Sequence, residues 1–275
     1  MIFINRNNKF PFDFSFDVSK VQINIDSLIN ISFDKLNALV DCLNQYGFTI
    51  VDFGENKIQL DEFLHLKFLF GNPKSHPRAD SNGVVPINSF NPLKGHLDST
   101  NSEHLLHTDG SFSSSPGNIL ALQCNIASKV GGLSIIASAQ AAYIHIKEKF
   151  PDTYHLVHSK DAIEIKRNSQ KTLAPIYDLH NGRSKIRFRF PDGAAEITPS
   201  EEVAPIYKEL CEFFKNNNNV VTFQLHNNQM LIADNGSIVH GRTKYPESEL
   251  RDLRRLNLDG NGILNGKVQY GIKLD

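Results

Sequence analysis

Short apolar segments that alternate with turns fill most of the chain beyond residue 102, and they restrict its fold more than any other feature. The strand-like segments are NILALQCNIA, GGLSIIAS, KIRFRF, VVTFQL, QMLIADNGSIVHGR and RRLNLDG. Two helical patterns interrupt them, from Ala137 to Phe150 and from Ser200 to Asn216. Strands joined by turns in this way are typical of a sandwich or barrel. We therefore expect a mainly β fold with flanking helices packed outside, although periodicity does not select the topology.

The first part of the chain carries a clearer helical signal. Between Ser32 and Tyr46 apolar residues recur at helical spacing, Ser32 can cap the amino end, and Gly47 can end the helix. The segment FTIVDF then predicts a short buried strand. A second helix is expected from Leu60 to Phe70. From Asn72 to Ser102 the composition indicates loops with short strands, and loops of this length are often functional.

The composition is that of an ordinary soluble globular protein. The chain has 275 residues, is 40% hydrophobic and carries a net charge of −1. It has no internal repeat or long linker, so we expect a single domain over residues 1–275. The near-neutral charge gives no reason to expect nucleic acid or a membrane as partner. No apolar run suits a signal peptide or a membrane span, which favours a cytoplasmic location. A homo-oligomer is compatible with this sequence.

The three cysteines do not suggest a metal or redox motif. They lie far apart along the chain and form no CxxC pair. Zinc ribbons, redox pairs and disulfide frameworks are therefore disfavoured, and each cysteine is expected to be a small buried or half-buried residue.

A candidate metal site lies in the stretch EHLLHTDGSF. His107 and Asp109 are two residues apart, so on a strand both side chains point to one face, where one metal ion could bind both. A second histidine would complete the two-histidine, one-carboxylate triad that leaves positions open on non-haem Fe(II). Another H-x-D motif, His96 and Asp98, lies eleven residues upstream in a loop-like context. The apolar pair before His107 favours the later motif, although spacing alone allows either to be accidental.

His240 is the candidate third ligand. It ends the apolar run MLIADNGSIVH and precedes a glycine, so it can point inward from a buried strand. Arg251 and Arg255 follow it four residues apart, which puts both on one face of a strand or of a helix. Guanidinium groups are natural bidentate partners of carboxylates, so two of them near a metal pocket would hold a carboxylate-bearing ligand. The alternatives are a core histidine and a solvated basic run.

With these motifs in place, the chain resembles the Fe(II)/2-oxoglutarate-dependent dioxygenases of the taurine dioxygenase-like TauD/TfdA family. That family has an H-x-D motif, a later threonine or serine, a distal histidine and then an arginine. Here Ser134 follows Asp109 by 25 residues, and Arg251 follows His240 by eleven. The resemblance covers most of the chain, from about residue 46 to about residue 260.

The same spacing distinguishes the two H-x-D motifs. A count of 25 residues from Asp98 reaches Gln123, inside the strand-like segment LALQC, which breaks the family pattern. The pair Asp234 and Asn235 also begins six residues before His240, as a similar pair does in the family. The resemblance therefore selects the motif that begins at His107.

The resemblance implies a double-stranded β-helix, that is, a cupin-like jelly roll with helical cover. It implies Fe(II) on His107, Asp109 and His240, with 2-oxoglutarate and O₂ at the open positions. The far carboxylate of 2-oxoglutarate would be held by Arg251 and by the hydroxyl of Ser134. This assignment agrees with the need of a buried carboxylate for a charge partner and hydrogen bonds.

For the reaction, the resemblance implies oxidation of an unactivated C–H bond with release of succinate and CO₂, hydroxylation being the favoured outcome. Because Asp109 is retained, halogenation is not expected. Arg255 would lie near the metal-bound end of the co-substrate or near an anionic group of the substrate. His76, in a His-Pro pair, is a tentative substrate residue. The expected substrate is a small anionic or zwitterionic molecule, such as an amino acid or its derivative.

Two alternative functions remain open from the sequence. One is a dioxygenase that cleaves an alkylsulfonate or an aryloxyalkanoate. The other is a non-catalytic jelly-roll sensor that binds metal or 2-oxoglutarate, against which Ser134 and Arg251 argue. Lys185, Arg187 and Arg189 share one side of KIRFRF and could meet an anionic substrate, but a solvent-facing strand side is the preferred interpretation. The polar segment from Lys166 to Tyr177 could form an active-site lid.

Overall fold

A computed structural model describes residues 9–90, 99–167, 170–191 and 195–274. The strands of its first half are β1 (Gln22–Asn24), β2 (Phe48–Asp52), β3 (Val85–Asn88), β4 (His104–His107), β5 (Ile119–Ile126), β6 (Ser134–Ser138), β7 (Ile163–Arg167) and β8 (Gln170–Ala174). Those of its second half are β9 (Tyr177–His180), β10 (Arg183–Ile186), β11 (Glu196–Pro199), β12 (Val221–Phe223), β13 (Gln229–Asp234), β14 (Ile238–Arg242), β15 (Asp252–Leu258) and β16 (Ile272–Lys273). The α-helices are α1 (Phe33–Tyr46), α2 (Leu60–Leu64), α3 (Leu66–Phe70), α4 (Ala139–Lys149) and α5 (Ala204–Lys215).

The predicted helices are present, with shifted boundaries. Helix α1 begins after Ser32, whose hydroxyl accepts the backbone N–H of Lys35, and ends at Gly47 with a left-handed φ of +81°. The expected second helix is two short helices that meet at His65. Helix α4 begins two residues later than expected because Ser138, its N-cap, still belongs to strand β6. Helix α5 likewise begins at Ala204, after a turn.

Two sheets form the body of the fold. One has the strand order β1-β2-β13-β5-β15-β3, and the other has the order β12-β6-β14-β4. Side chains on β13 alternate between two cores, as expected for a central strand. Met230 and Ile232 pack in the cluster that includes α1, whereas Leu231 and Ala233 pack with Ile136 of the four-stranded sheet. The fold is therefore a β-sandwich with helices outside it, and the prediction of a mainly β fold with flanking helices is confirmed.

The interpretation of KIRFRF as a strand with one solvent-facing side is wrong. Strand β10 ends at Ile186, and both Arg187 and Arg189 are buried. The cause is the neighbouring chain: Arg189 lies opposite His107 in an antiparallel bridge, and Arg187 donates to the backbone carbonyls that follow Gly110. Phe188, which lies between them, packs against Phe214 of α5, so both sides of the segment are covered.

The described residues of the expected lid segment, 166–167 and 170–177, lie in the paired antiparallel strands β7 and β8 and just after them. The hydroxyl of Thr172 donates to the carbonyl of Phe112, and the Arg167 guanidinium lies 4.7 Å from the centroid of the Phe112 ring. The hairpin thus touches the loop that follows the H-x-D motif. In the described part of the chain, no helix is long and apolar enough to cross a membrane.

Candidate metal centre

Three buried side chains, two on neighbouring strands and one in the turn that follows the first, converge at one end of the sandwich. His107 ends β4, Asp109 lies two residues further on, and His240 lies in β14 directly opposite His107. One possible ligand atom from each of the three lies within 4.8 Å of the others. The Asp109 Oδ1 atom is 3.4 Å from His107 Nε2 and 3.8 Å from His240 Nε2. The structure therefore brings together the three residues predicted to bind metal.

The ring of His107 is oriented for metal binding. Its Nδ1 atom lies 2.8 Å from the carbonyl oxygen of Leu105, so Nδ1 carries the proton and Nε2 keeps its lone pair. That Nε2 atom is buried and has no hydrogen-bond partner among the described residues. Burial lowers the pKa of His107, and it lowers the pKa of His240 to about 3. Two neutral imidazoles beside a carboxylate fit a divalent metal ion.

Asp109 is held as a carboxylate by its neighbours. Its Oδ2 atom lies 3.3 Å from Arg255 Nη1 and accepts a hydrogen bond from the Asn257 side chain at 3.0 Å. Burial acts to raise the pKa of Asp109, but Arg255 and the two histidines outweigh it and keep that pKa well below its usual value. The predicted alternation along β15 explains this contact, because Arg255 and Asn257 are two residues apart on one face.

An inner cavity beside the two histidines contains the residues expected to hold the co-substrate. Ser134 on β6 and Arg251 before β15 line it, together with Arg242 on β14. Arg251 is 5% exposed and, in the described residues, has no carboxylate partner. Burial, and then the nearby Arg242, lower the pKa of Arg251 to about 10. The ring of Tyr245 lies near both guanidinium groups. A buried, unneutralised guanidinium favours binding of an anion.

A second, outer cavity of about 400 Å³ opens on the other side of the metal centre. Its basic lining comes from Lys74, Arg167, Arg189 and Arg255. His76, the tentative substrate residue, also lines it, and its Nε2 atom lies 3.2 Å from Arg255 Nη2. Of the basic residues on KIRFRF, Arg189 thus reaches the metal centre, whereas Lys185 lies outside this cavity.

Several residues at the site were not predicted from the sequence to act there. Asn235 forms hydrogen bonds with the backbone of Asp109. From the sequence it was noted only as half of the Asp234 and Asn235 pair that resembles one in the family. Arg242 lies two residues after His240 on the same strand face, so strand alternation could have identified it. His104, three residues before His107, carried no such signal. The competing His96 and Asp98 motif lies outside the described residues.

Solved structures of other proteins share this fold. A taurine dioxygenase from Burkholderia xenovorans matches with a TM-score of 0.64 and 16% identity, covering 94% of each chain. A structure of AAD-2 with Mn(II) and N-oxalylglycine has a TM-score of 0.65 and 15% identity, covering 87% of this chain and 94% of that one. An asparagine oxygenase with Fe(II), 2S,3S-3-hydroxyasparagine and succinate has a TM-score of 0.62 and 13% identity, with the same coverage. The predicted jelly roll is confirmed.

A jelly roll with two histidines and one carboxylate grouped on adjoining strands defines the class of mononuclear non-haem metal enzymes. The model of the taurine catabolism dioxygenase TauD, TfdA family matches residues 8–257. This chain belongs to that family and is an Fe(II)/2-oxoglutarate-dependent dioxygenase. Its cofactors are Fe(II), 2-oxoglutarate and O₂, as the sequence resemblance implied.

Proposed function

We propose that His107, Asp109 and His240 are the residues that bind Fe(II) in this dioxygenase. Their burial and mutual distances support the assignment, and so does the buried Nε2 atom of His107, for which the described part of the chain offers no hydrogen-bond partner. A neutral imidazole is the form that binds a metal, and burial keeps both rings neutral. Once bound, iron and 2-oxoglutarate supply the oxidising chemistry, which consumes O₂ and releases succinate and CO₂.

Arg251 and Ser134 are the proposed anchor for the far carboxylate of 2-oxoglutarate. The observation that carries this assignment is the burial of Arg251 with no carboxylate partner in the described residues. A bidentate guanidinium and a hydroxyl together compensate the desolvation of a buried carboxylate. Apolar walls at Leu122 and Leu253 help to exclude water from this inner cavity.

Arg255 has a different proposed role from Arg251. It contacts Asp109 on one side and His76 on the other, so its charge keeps the Asp109 carboxylate ionised and oriented. Its guanidinium also lines the outer cavity, where it can attract an anionic group of the substrate. His76 lies next to it, with Nδ1 accepting the backbone N–H of Arg78, and lines the same cavity.

The proposed reaction is hydroxylation of a C–H bond in a small carboxylated molecule, such as an amino acid or a derivative. The basic residues around the outer cavity support a carboxylate on the substrate, and the volume of about 400 Å³ suits a small molecule. The asparagine oxygenase among the structural relatives supports an amino-acid-like substrate. An alkylsulfonate is the second candidate, because a sulfonate also satisfies guanidinium groups.

Anaerobic spectroscopy tests the co-substrate assignment. Fe(II) and 2-oxoglutarate are expected to give a visible charge-transfer band with the parent protein. Arg251→Ala should raise the Kd of 2-oxoglutarate roughly 100-fold, because a charge-assisted pair is removed from a buried site. Arg254→Ala is the matched control, since Arg254 lies on the other face of β15, beside Asn125. An equal effect of both variants would contradict the assignment.

A substrate screen scored by succinate release tests the reaction. Amino acids, other small carboxylates and alkylsulfonates should be supplied separately with Fe(II), 2-oxoglutarate and O₂. We expect succinate and an oxygenated product from a carboxylated candidate. Succinate with a sulfonate alone would favour the second candidate, and the absence of both the band and succinate would refute the proposed function.

A further inference from the structure

His104 reaches the metal centre because strand β4 is irregular. His240 on β14 pairs with His107, and Arg242, only two residues on, pairs with His104, three residues away from His107. Strand β4 therefore contains one extra residue at this point, a β-bulge. In a regular strand, residues three apart point to opposite faces. The bulge instead brings both imidazoles together, with ring centroids 4.0 Å apart and planes at 24°.

Gly241 provides the space for this bulge. A Cβ atom at Gly241 would lie 2.6 Å from the backbone oxygen of His104 and 3.1 Å from the backbone nitrogen of Leu106. Both contacts are with backbone, which cannot move aside cheaply. Bulges recur next to active sites, where they redirect a side chain. The glycine after the candidate ligand His240 thus has a defined structural purpose, which is to admit the chain that presents His104.

His104 lies where the two cavities meet. Among the described residues, His104, His107 and Arg255 are the ones that line both the inner and the outer cavity. The other two are a candidate ligand and the partner of Asp109. His104 makes no side-chain hydrogen bond within the described part of the chain, and it belongs to no metal-ligand group there. Its imidazole therefore has hydrogen-bonding capacity next to the candidate metal centre that the described residues leave unused.

We propose that His104 is a positioning residue for the co-substrate, with its imidazole N–H donating a hydrogen bond to the carboxylate end of 2-oxoglutarate that binds iron. This inference rests on the proposed function. The ring stacks on that of His107 and lines both cavities beside the candidate metal centre. The co-substrate must extend from that centre toward Arg251 and Ser134. An imidazole keeps at least one N–H in every protonation state, so the donor is always present.

Two variants of His104 and one control distinguish the effect of its hydrogen bond from the effect of its aromatic ring. His104→Phe keeps a stacked ring without a donor, and His104→Asn keeps a donor without the ring. His180→Phe is the matched control, since His180 is exposed on strand β9. Each variant should be titrated anaerobically with 2-oxoglutarate in the presence of Fe(II), and its Fe(II) affinity should be measured without 2-oxoglutarate.

We expect His104→Phe to raise the Kd of 2-oxoglutarate about tenfold, because a hydrogen bond to a charged acceptor is lost. His104→Asn should recover at least part of that loss, and Fe(II) affinity should be unchanged in both. If His104→Phe binds 2-oxoglutarate as tightly as the parent, or if Fe(II) affinity falls together with it, the inference is overturned. A parent protein without any band would instead refute the proposed function.

Discussion

The side chain of Asn235 binds both backbone polar groups of Asp109. Its Oδ1 atom accepts the Asp109 N–H at 2.8 Å, and its Nδ2 atom donates to the Asp109 carbonyl at 2.9 Å. The same Nδ2 atom also donates to the carbonyl of Gly117 at 3.0 Å. The candidate metal-binding carboxylate thus lies on a backbone that is fixed from the strand connection between β13 and β14.

We expect Asn235→Ala to weaken Fe(II) binding by about 10- to 100-fold, as is typical when an outer partner of a ligand is lost. The buried backbone groups of Asp109 would also lose their partners, so some stability should be lost. Fe(II) titration and thermal unfolding measure the two effects. Asn217→Ala, on an exposed turn, is the control. Unchanged Fe(II) affinity in Asn235→Ala would show that Asp109 is positioned without Asn235.

The metal-free protein should lose stability as the pH falls below about 6.5. Burial lowers the pKa of His240 to about 3, whereas an unfolded histidine has a pKa near 6.5. Between these values the unfolded chain binds more protons, so the free energy of unfolding falls with pH, by at most about 1.4 kcal/mol per pH unit for each such histidine. Thermal unfolding at several pH values should show a weaker dependence in His240→Gln than in the parent. Equal dependence would contradict the neutral, buried state of His240.

Gly132→Ala should weaken 2-oxoglutarate binding. A Cβ atom there would lie 2.9 Å from Cδ of Arg251, and the residue has a φ of +64°, so both the arginine and the backbone would be strained. Gly54→Ala is a close control for the backbone effect alone, since Gly54 has a φ of +60° and open space around its Cβ position. Anaerobic titration should give a higher Kd for the first variant only. A similar Kd in both variants would mean that Gly132 does not position Arg251.

Lys9→Met should destabilise the fold strongly. The Lys9 ammonium lies 3.3 Å from the Asp234 carboxylate, and Asp234 is 0% exposed. Removing one partner of a buried pair leaves an uncompensated charge, which costs about 3 to 5 kcal/mol. Chemical denaturation should show this loss, and Lys20→Met at an exposed position should not. The backbone N–H groups of Gly271 and Gly236 also donate to Asp234. A loss below about 1 kcal/mol would indicate that these hydrogen bonds suffice to stabilise its buried charge.

The sequence was informative where locally extended backbone determines which side chains meet. Alternation by two predicted that His107 and Asp109 share a face, and the spacing of four predicted the same for Arg251 and Arg255, although Asp109 and Arg251 lie just outside β4 and β15. Each of these predictions depends only on the conformation of one short segment. The fold class was also predicted from periodicity, because it depends on many segments and an error in one segment's boundaries does not change it.

The sequence was uninformative where contacts with other segments determine whether a side chain is buried and which residues it meets. The bulge that brings His104 beside His107 interrupts the alternation of side chains along β4. A periodic pattern in the sequence therefore does not predict this contact. The burial of Arg187 and Arg189 depends on β4 and α5, which cover both sides of their segment. The contact of His76 with Arg255 joins residues 179 positions apart, and only the completed fold brings such residues together.

Toward its carboxyl end, strand β15 carries Leu256 and Leu258 on one face and Arg255 and Asn257 on the other. Leu256 and Leu258 pack in the helix-covered core, while Arg255 and Asn257 point to Asp109. A pairing error of one residue would therefore place a guanidinium in the apolar core and a leucine at the metal centre. A misaligned strand would therefore lose both the apolar burial of its leucines and the ion pair between Arg255 and Asp109, so the charged site and the core both favour the same alignment. A ligand that binds only the correctly assembled site stabilises the correct alignment further.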